Sequence, residues 1–251
     1  MGFLHFIWLY LWIAPHVLLV VIAIVMVRKG LQRDFPIFFS YLLYEFLQFC
    51  LLFAMHIWRP SLSTYLEVDV IGRAGSIALR FGIIQEMFES PFTHSFSLRR
   101  GMARTLNWVT VVLVVVAAVF AGSVYYPILA PRAFQAYVTA EALNTAQCGL
   151  LVLIFLWYRF LGLRMSPFVF GVGLGIGLAA GLDPLILALK DAVSAQNSKI
   201  PDFLQLAIYH CAVLVWLYFA QAREKFEAIG TPSPLLHIRE WAADLGRIAP
   251  L

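Results

Sequence analysis

The sequence predicts an all-α, polytopic membrane protein with seven transmembrane helices, its N-terminus outside and its C-terminus cytoplasmic. Three observations carry that prediction: the composition, the apolar blocks and the alternation of basic residues between them. Hydrophobic residues make up 62% of the chain and charged residues 13%, with a mean hydropathy of +0.83. A soluble domain carries roughly a quarter charged residues, so this apolar content exceeds what one soluble core can hold. It also comes in blocks that reach the about 20 residues a helix needs to cross a bilayer.

The first block, 4–27, contains Pro15 and His16 near its middle, where a proline removes a backbone hydrogen bond and predicts a bend. It lacks a basic leader and a small-residue cleavage site, so it reads as a helix rather than a secretory signal. The second block is 36–58. The third, 66–88, is the weakest by hydropathy, because it carries Arg73, Arg80, Gln85 and Glu86 among its isoleucines, leucine and phenylalanine. Its insertion therefore requires neighbours that accept a polar face. The fourth and fifth blocks are 105–126 and 134–158. The sixth, 167–189, holds Gly171, Gly173, Gly175, Gly177 and Gly181. Such spacing lets another backbone approach closely where lipid supplies no hydrophobic drive, and it marks Gly173, Gly177 and Gly181 as helix-packing residues. A hinge ahead of Asp183-Pro184 is the alternative. The seventh block is 203–222.

Lysine and arginine fall on alternate connections. Arg28, Lys29 and Arg33, then Arg99, Arg100 and Arg104, then Arg159 and Arg164, then Arg223 and Lys225 occupy one side, joined by Arg239 and Arg247 of the tail. Arg59, Arg132, Lys190 and Lys199 occupy the other. The richer side is cytoplasmic by the positive-inside rule, which sets the orientation. Basic loops beside an anionic leaflet also account for the net charge of +4, with no role for nucleic acid. The chain divides into a seven-helix domain, 1–222, and a cytoplasmic tail, 223–251. In the tail Leu235, Ile238, Trp241, Ala242, Leu245 and Ile248 repeat at helical spacing opposite Arg239, Glu240, Asp244 and Arg247, predicting a short interfacial helix after Ser233-Pro234.

Charges inside the membrane are the main functional signal. Arg73 and Arg80, seven residues apart, share one face of the third span. Arg73 lies level with Glu141 of the fifth span, and Arg80 with Glu45 of the second. A charge at the bilayer centre costs about 2.5–3.5 kcal/mol on insertion scales, so all four should turn inward and pair. The expected site is a network between the second, third and fifth spans, Arg80 with Glu45 and Arg73 with Glu141. Gln48, Asn144, Gln147 and Tyr44 would complete its hydrogen bonds. Such pairs either fix helix register or line a cavity, and both readings stay open.

Enzyme and cofactor chemistry finds no motif. No nucleophile elbow, phosphate loop or dinucleotide fingerprint occurs. The six histidines form no i, i+3 or i+4 pair, and a metal site would have to be assembled from His16, Asp183 and His210 on separate helices. No metal and no cofactor is expected. Cys50, Cys148 and Cys211 lie in three different spans and read as buried free thiols. A retinal lysine is missing from the seventh span, since Lys29, Lys190, Lys199 and Lys225 all sit at helix ends or in connections. The third span ends Gln85-Glu86-Met87-Phe88, without the acidic-Arg-aromatic signature of G-protein-coupled receptors.

The segments Ala14-Pro15-His16-Val17-Leu18, Asp34-Phe35-Pro36-Ile37-Phe38-Phe39 and Ala78-Leu79-Arg80-Phe81 resemble those of uncharacterised bacterial seven-helix integral membrane proteins. The resemblance implies the architecture along all seven spans and no activity. The absence of an Asn-x-Ser/Thr sequon is compatible with a bacterial source and says no more, and the expected location is a cell membrane, the bacterial inner membrane. The expected function is a non-enzymatic sensor or binder of a small molecule or lipid. A small solute or proton-coupled transporter and a structural subunit, contacting a membrane partner through the sixth span or the tail, are the alternatives.

Overall fold

A computed structural model describes residues 3–58, 61–90, 108, 110–112, 115, 132–160, 165–192 and 199–222, with no strand among them. The helices are α1 (Phe3–Lys29), α2 (Leu31–Asp34), α3 (Pro36–Trp58), α4 (Leu62–Glu89), α5 (Arg132–Phe160), α6 (Pro167–Ala192) and α7 (Lys199–Gln221). The expected fourth span, the outer connection and the amphipathic tail lie wholly or largely outside the described residues. So do the side chains of Glu141 and Asp183.

Among the described residues four helices are long and apolar enough to cross a membrane: Phe6–Lys29, Pro36–Trp58, Ala142–Phe160 and Ile200–Gln221. This is the signature of a multi-pass membrane protein. The helix boundaries follow local chemistry. Gly30 closes α1 in the left-handed region at φ 76°, which a residue without Cβ adopts freely, and the chain turns at once into α2. Prolines open α3 and α6, at a position whose N–H has no intrahelical partner in any case. Ser166 caps α6, its Oγ accepting from the Val169 N–H at 3.2 Å. Ser61 caps α4 in the same way, accepting from Thr64 at 3.3 Å. The helix α1 runs through Pro15 without interruption, and His16 Nδ1 bonds the Trp12 carbonyl beside it at 2.9 Å.

Neighbouring helices close a ring in the order α1, α3, α4, α5, α6, α7 and back to α1, with α4 also touching α6 across it. The more polar helix α4 is thus held between two helices long and apolar enough to cross a membrane. Packing inside the ring is dense around Leu19, Phe38, Ile84, Leu150, Val172 and Trp216. Helix direction can be read from side-chain contacts. Tyr41 meets Arg80 while Glu45 meets Ser76, so α3 and α4 are antiparallel. Gln147 reaches the Ile77 carbonyl at 2.8 Å and Tyr158 the Met87 carbonyl at 2.9 Å, so α4 and α5 are parallel. The end of α4 and the start of α5 therefore lie at opposite ends of the bundle.

Two seams rely on glycine. A Cβ at Gly171 or Gly175 would collide with Phe219 or Trp216 of α7, and one at Gly173 would lie 2.6 Å from Met87 and 2.9 Å from Phe155. The closest approaches in α6 are therefore at Gly171 and Gly175 as well as Gly173. Gly177 and Gly181 have more room, 3.8 Å to Leu151 and 3.3 Å to Cys148. The second seam is absent from the sequence reading: Gly72 and Gly75 of α4 admit Gln48 and Tyr44 of α3, and Gly82 packs on Ile37.

Candidate functional site

The α3–α4 seam brings polar side chains into the ring because glycine on α4 leaves space for the long side chains of α3. Tyr44 Oη donates to the Gly72 carbonyl at 2.9 Å. One turn deeper, Ser76 Oγ donates to Glu45 Oε1. Next along α4, Arg80 Nε donates to Tyr41 Oη at 3.3 Å, and its guanidinium carbon stands 5.9 Å from the Tyr41 ring centre. The third wall is α7: its Trp216 ring meets Tyr41 edge-on at 5.9 Å, and Tyr209, seven residues earlier and so on the same helix face, packs against the core. Beyond it, on α1, the His16 ring lies 5.8 Å from Tyr209 and stacks on Phe49 at 4.0 Å.

This arrangement corrects the expected network in two respects. Glu45 accepts from the Ser76 hydroxyl and Arg80 donates to the Tyr41 hydroxyl, with Ser76 one turn before Arg80 on α4. Arg73 pairs with Asp69, Nε to Oδ2 at 2.9 Å, and its side chain is 47% exposed. A carboxylate one turn away on the same helix is reachable without crossing the seam, which the depth comparison with Glu141 overlooked. Arg73 thus stands outside the cluster.

The fifth span contributes elsewhere. Asn144 and Gln147 are buried on α5, and Gln147 turns its amide toward the Ile77 carbonyl of α4. The cluster accordingly lies among α1, α3, α4 and α7 rather than among the second, third and fifth spans. Its α7 member, Tyr209, was missed because tyrosine in an apolar run carries no charge to count.

Several buried atoms in this region have no hydrogen-bond partner among the described residues: Tyr209 Oη, Gln48 Oε1, Gln147 Oε1 and His210 Nδ1. Buried polar atoms are nearly always bonded, and in hydrocarbon there is no solvent to substitute. His210 meets Tyr10 edge-on at 5.5 Å.

Two further polar contacts brace the bundle. The Glu86 carboxylate of α4 accepts from the Ile37 and Phe38 N–H groups at 2.9 and 3.0 Å, capping the start of α3 from a neighbouring helix. Those donors have no intrahelical acceptor, and the helix dipole favours an anion there. Lys29 Nζ donates to the Ala220, Gln221 and Ala222 carbonyls at 2.7, 3.0 and 3.2 Å, closing the C-terminal end of α7 with a cation. Comparison with family models, with curated proteins and with solved structures yields no match.

Proposed function

We propose that the protein is a non-enzymatic binder, and on that basis a sensor, of a small molecule that both donates and accepts hydrogen bonds. The ligand sits among Tyr41, Glu45, Ser76, Arg80 and Tyr209. The observation that carries this reading is the buried Tyr209 hydroxyl, unpartnered among the described residues, on the helix whose Trp216 meets Tyr41 of the cluster in which Ser76 bonds Glu45 and Arg80 bonds Tyr41. A buried hydroxyl left without a partner costs about 1–3 kcal/mol, so a packing role alone would favour phenylalanine. A ligand that supplies the missing bond reverses that cost.

The finer architecture belongs to the same proposal. Seven crossings are supported by the parallel pair α4 and α5, the end of the first and the start of the second lying at opposite ends of the bundle. Lys29 beside the end of α7 places the last residues of α1 and α7 on one side. With the basic connections, this favours an external N-terminus in a bacterial inner membrane.

The test is to release and identify what copurifies. Mass spectrometry of organic extracts from the purified protein should find one small molecule at near-equal amount to the chain. It should be lost from Tyr209→Phe combined with Glu45→Gln, while thermal unfolding changes by only a few degrees. Extracts indistinguishable from those of an unrelated membrane protein would overturn the reading. If the molecule instead accumulates inside protein-loaded liposomes against empty controls, the site is that of a carrier.

A further inference from the structure

A groove lies on the outside of the ring, apart from the polar cluster. Between α1 and α3 it measures about 450 Å³, and its walls, apart from one residue, are apolar; Val20, Ala23 and Ile24 form one side and Leu43 and Phe46 the other. The exception is Arg28, at one end. Leu19 to Arg28, the stretch of α1 that lines it, spans ten residues, about 14 Å at 1.5 Å per residue. The hydrocarbon core is about 30 Å thick, so the groove has the depth of a single leaflet. A partner helix crossing the membrane would be seated along the whole height of α1 and α3; one lipid tail occupies half of it.

The basic end of the groove identifies the headgroup. Arg28 and Lys29 are adjacent, but they are used differently. Lys29 is consumed by three carbonyls at the end of α7. Arg28 is exposed and makes no hydrogen bond or ion pair with any described residue. Arg33 and Asp34 of α2 also lie exposed at this end, so the four charges sum to net positive. A guanidinium donates in a planar fork that matches two phosphate oxygens, whereas its alternative here is bulk solvent. We propose that this groove is a binding site for one anionic phospholipid, with an acyl chain between Ala23 and Leu43 and the phosphate on Arg28.

The probe is phosphatidylglycerol bearing a photoreactive diazirine on its acyl chain, in nanodiscs of phosphatidylcholine. Peptide mapping should find labels concentrated at 20–27 and 39–46. Unlabelled phosphatidylglycerol should displace them at least fivefold better than added phosphatidylcholine. Arg28→Gln should lower labelling at least fivefold and Arg28→Lys should restore part of it, with the unfolding temperature unchanged in both. Because Arg28 is exposed and unpaired among the described residues, neither variant threatens folding; Leu43→Trp, which fills the groove from its other wall, gives the second test and should lower labelling with Arg28 intact. Labels spread evenly over all lipid-facing helices, equal competition by the two lipids, or Arg28→Gln labelling as wild type would each overturn the site. So would displacement of the label by a second copy of the chain.

Discussion

The α6–α7 seam and the α3–α4 seam are both opened by glycine, and they differ in what enters. Gly171 and Gly175 receive Phe219 and Trp216, whose rings fill the gap, and the Trp216 indole N–H finds the Val172 carbonyl at 3.2 Å. Gly72 and Gly75 receive Gln48 and Tyr44, and the seam continues inward to Glu45, Ser76, Tyr41 and Arg80. There, hydrogen-bonding capacity exceeds what the protein uses. Glycine sets only how closely two helices approach; the side chain admitted decides whether the contact is closed packing or an open site. In hydrocarbon, where apolar surface gives helices no reason to associate, close packing is itself a driving force.

The largest effect that would break the comparison is overpacking of the closed seam. Gly175→Leu should destabilise the protein by several kcal/mol, because the incoming side chain meets the buried Trp216 ring, and core overpacking costs typically about 1–3 kcal/mol or more. Loss of monodisperse material in detergent and a much lower unfolding temperature would register it. Gly177→Ala, whose Cβ has its nearest neighbour at 3.8 Å, should leave both unchanged. Equal behaviour of the two variants would refute the seam as described.

Removing the carboxylate that ties α4 to the start of α3 comes next. Glu86→Ala orphans two N–H groups, and hydrogen bonds to a charged partner contribute about 1.5–3 kcal/mol each at most. Chemical unfolding should show a loss of about 2–3 kcal/mol, and Glu86→Gln a smaller one. A loss below about 0.5 kcal/mol would mean the cap contributes nothing measurable. Trp216→Phe should cost about 1 kcal/mol, since it keeps most of the ring and loses one bond.

The smallest effect has the opposite sign. Tyr209→Phe removes a hydroxyl with no partner among the described residues, so the ligand-free protein should be as stable as wild type or more so, by up to about 1 kcal/mol. Tyr44→Phe, which breaks a bond to Gly72, should instead lose about 1 kcal/mol. If both tyrosines lose stability alike in ligand-free protein, the distinction between bonded and waiting hydroxyls fails.

Much of the fold was legible because bilayer thickness forces long apolar blocks. The reading 36–58 coincides with α3, and 66–88 falls inside α4 despite its charges. The site was legible only in part. Charge depth singled out Glu45 and Arg80, which bond Ser76 and Tyr41 across the α3–α4 seam; depth along antiparallel helices is a one-dimensional quantity. Depth says nothing of azimuth, so their partners Ser76 and Tyr41, and α7 as the third wall, were not foreseen. Arg73 was assigned a distant partner when Asp69 lay one turn away. Glycines 72, 75 and 82 were passed over because they are scattered among polar residues, unlike the dense run in α6, although a tight seam needs only a glycine opposite each large side chain.

The most direct test is an experimental density map of the protein in nanodiscs, at a resolution that separates side chains around Tyr209. A non-protein feature larger than one water, within hydrogen-bond distance of Tyr209 Oη and flanked by Glu45 and Arg80, is the predicted result. A Tyr209 hydroxyl bonded directly to a protein side chain, with no such feature between α1, α3, α4 and α7, would contradict it.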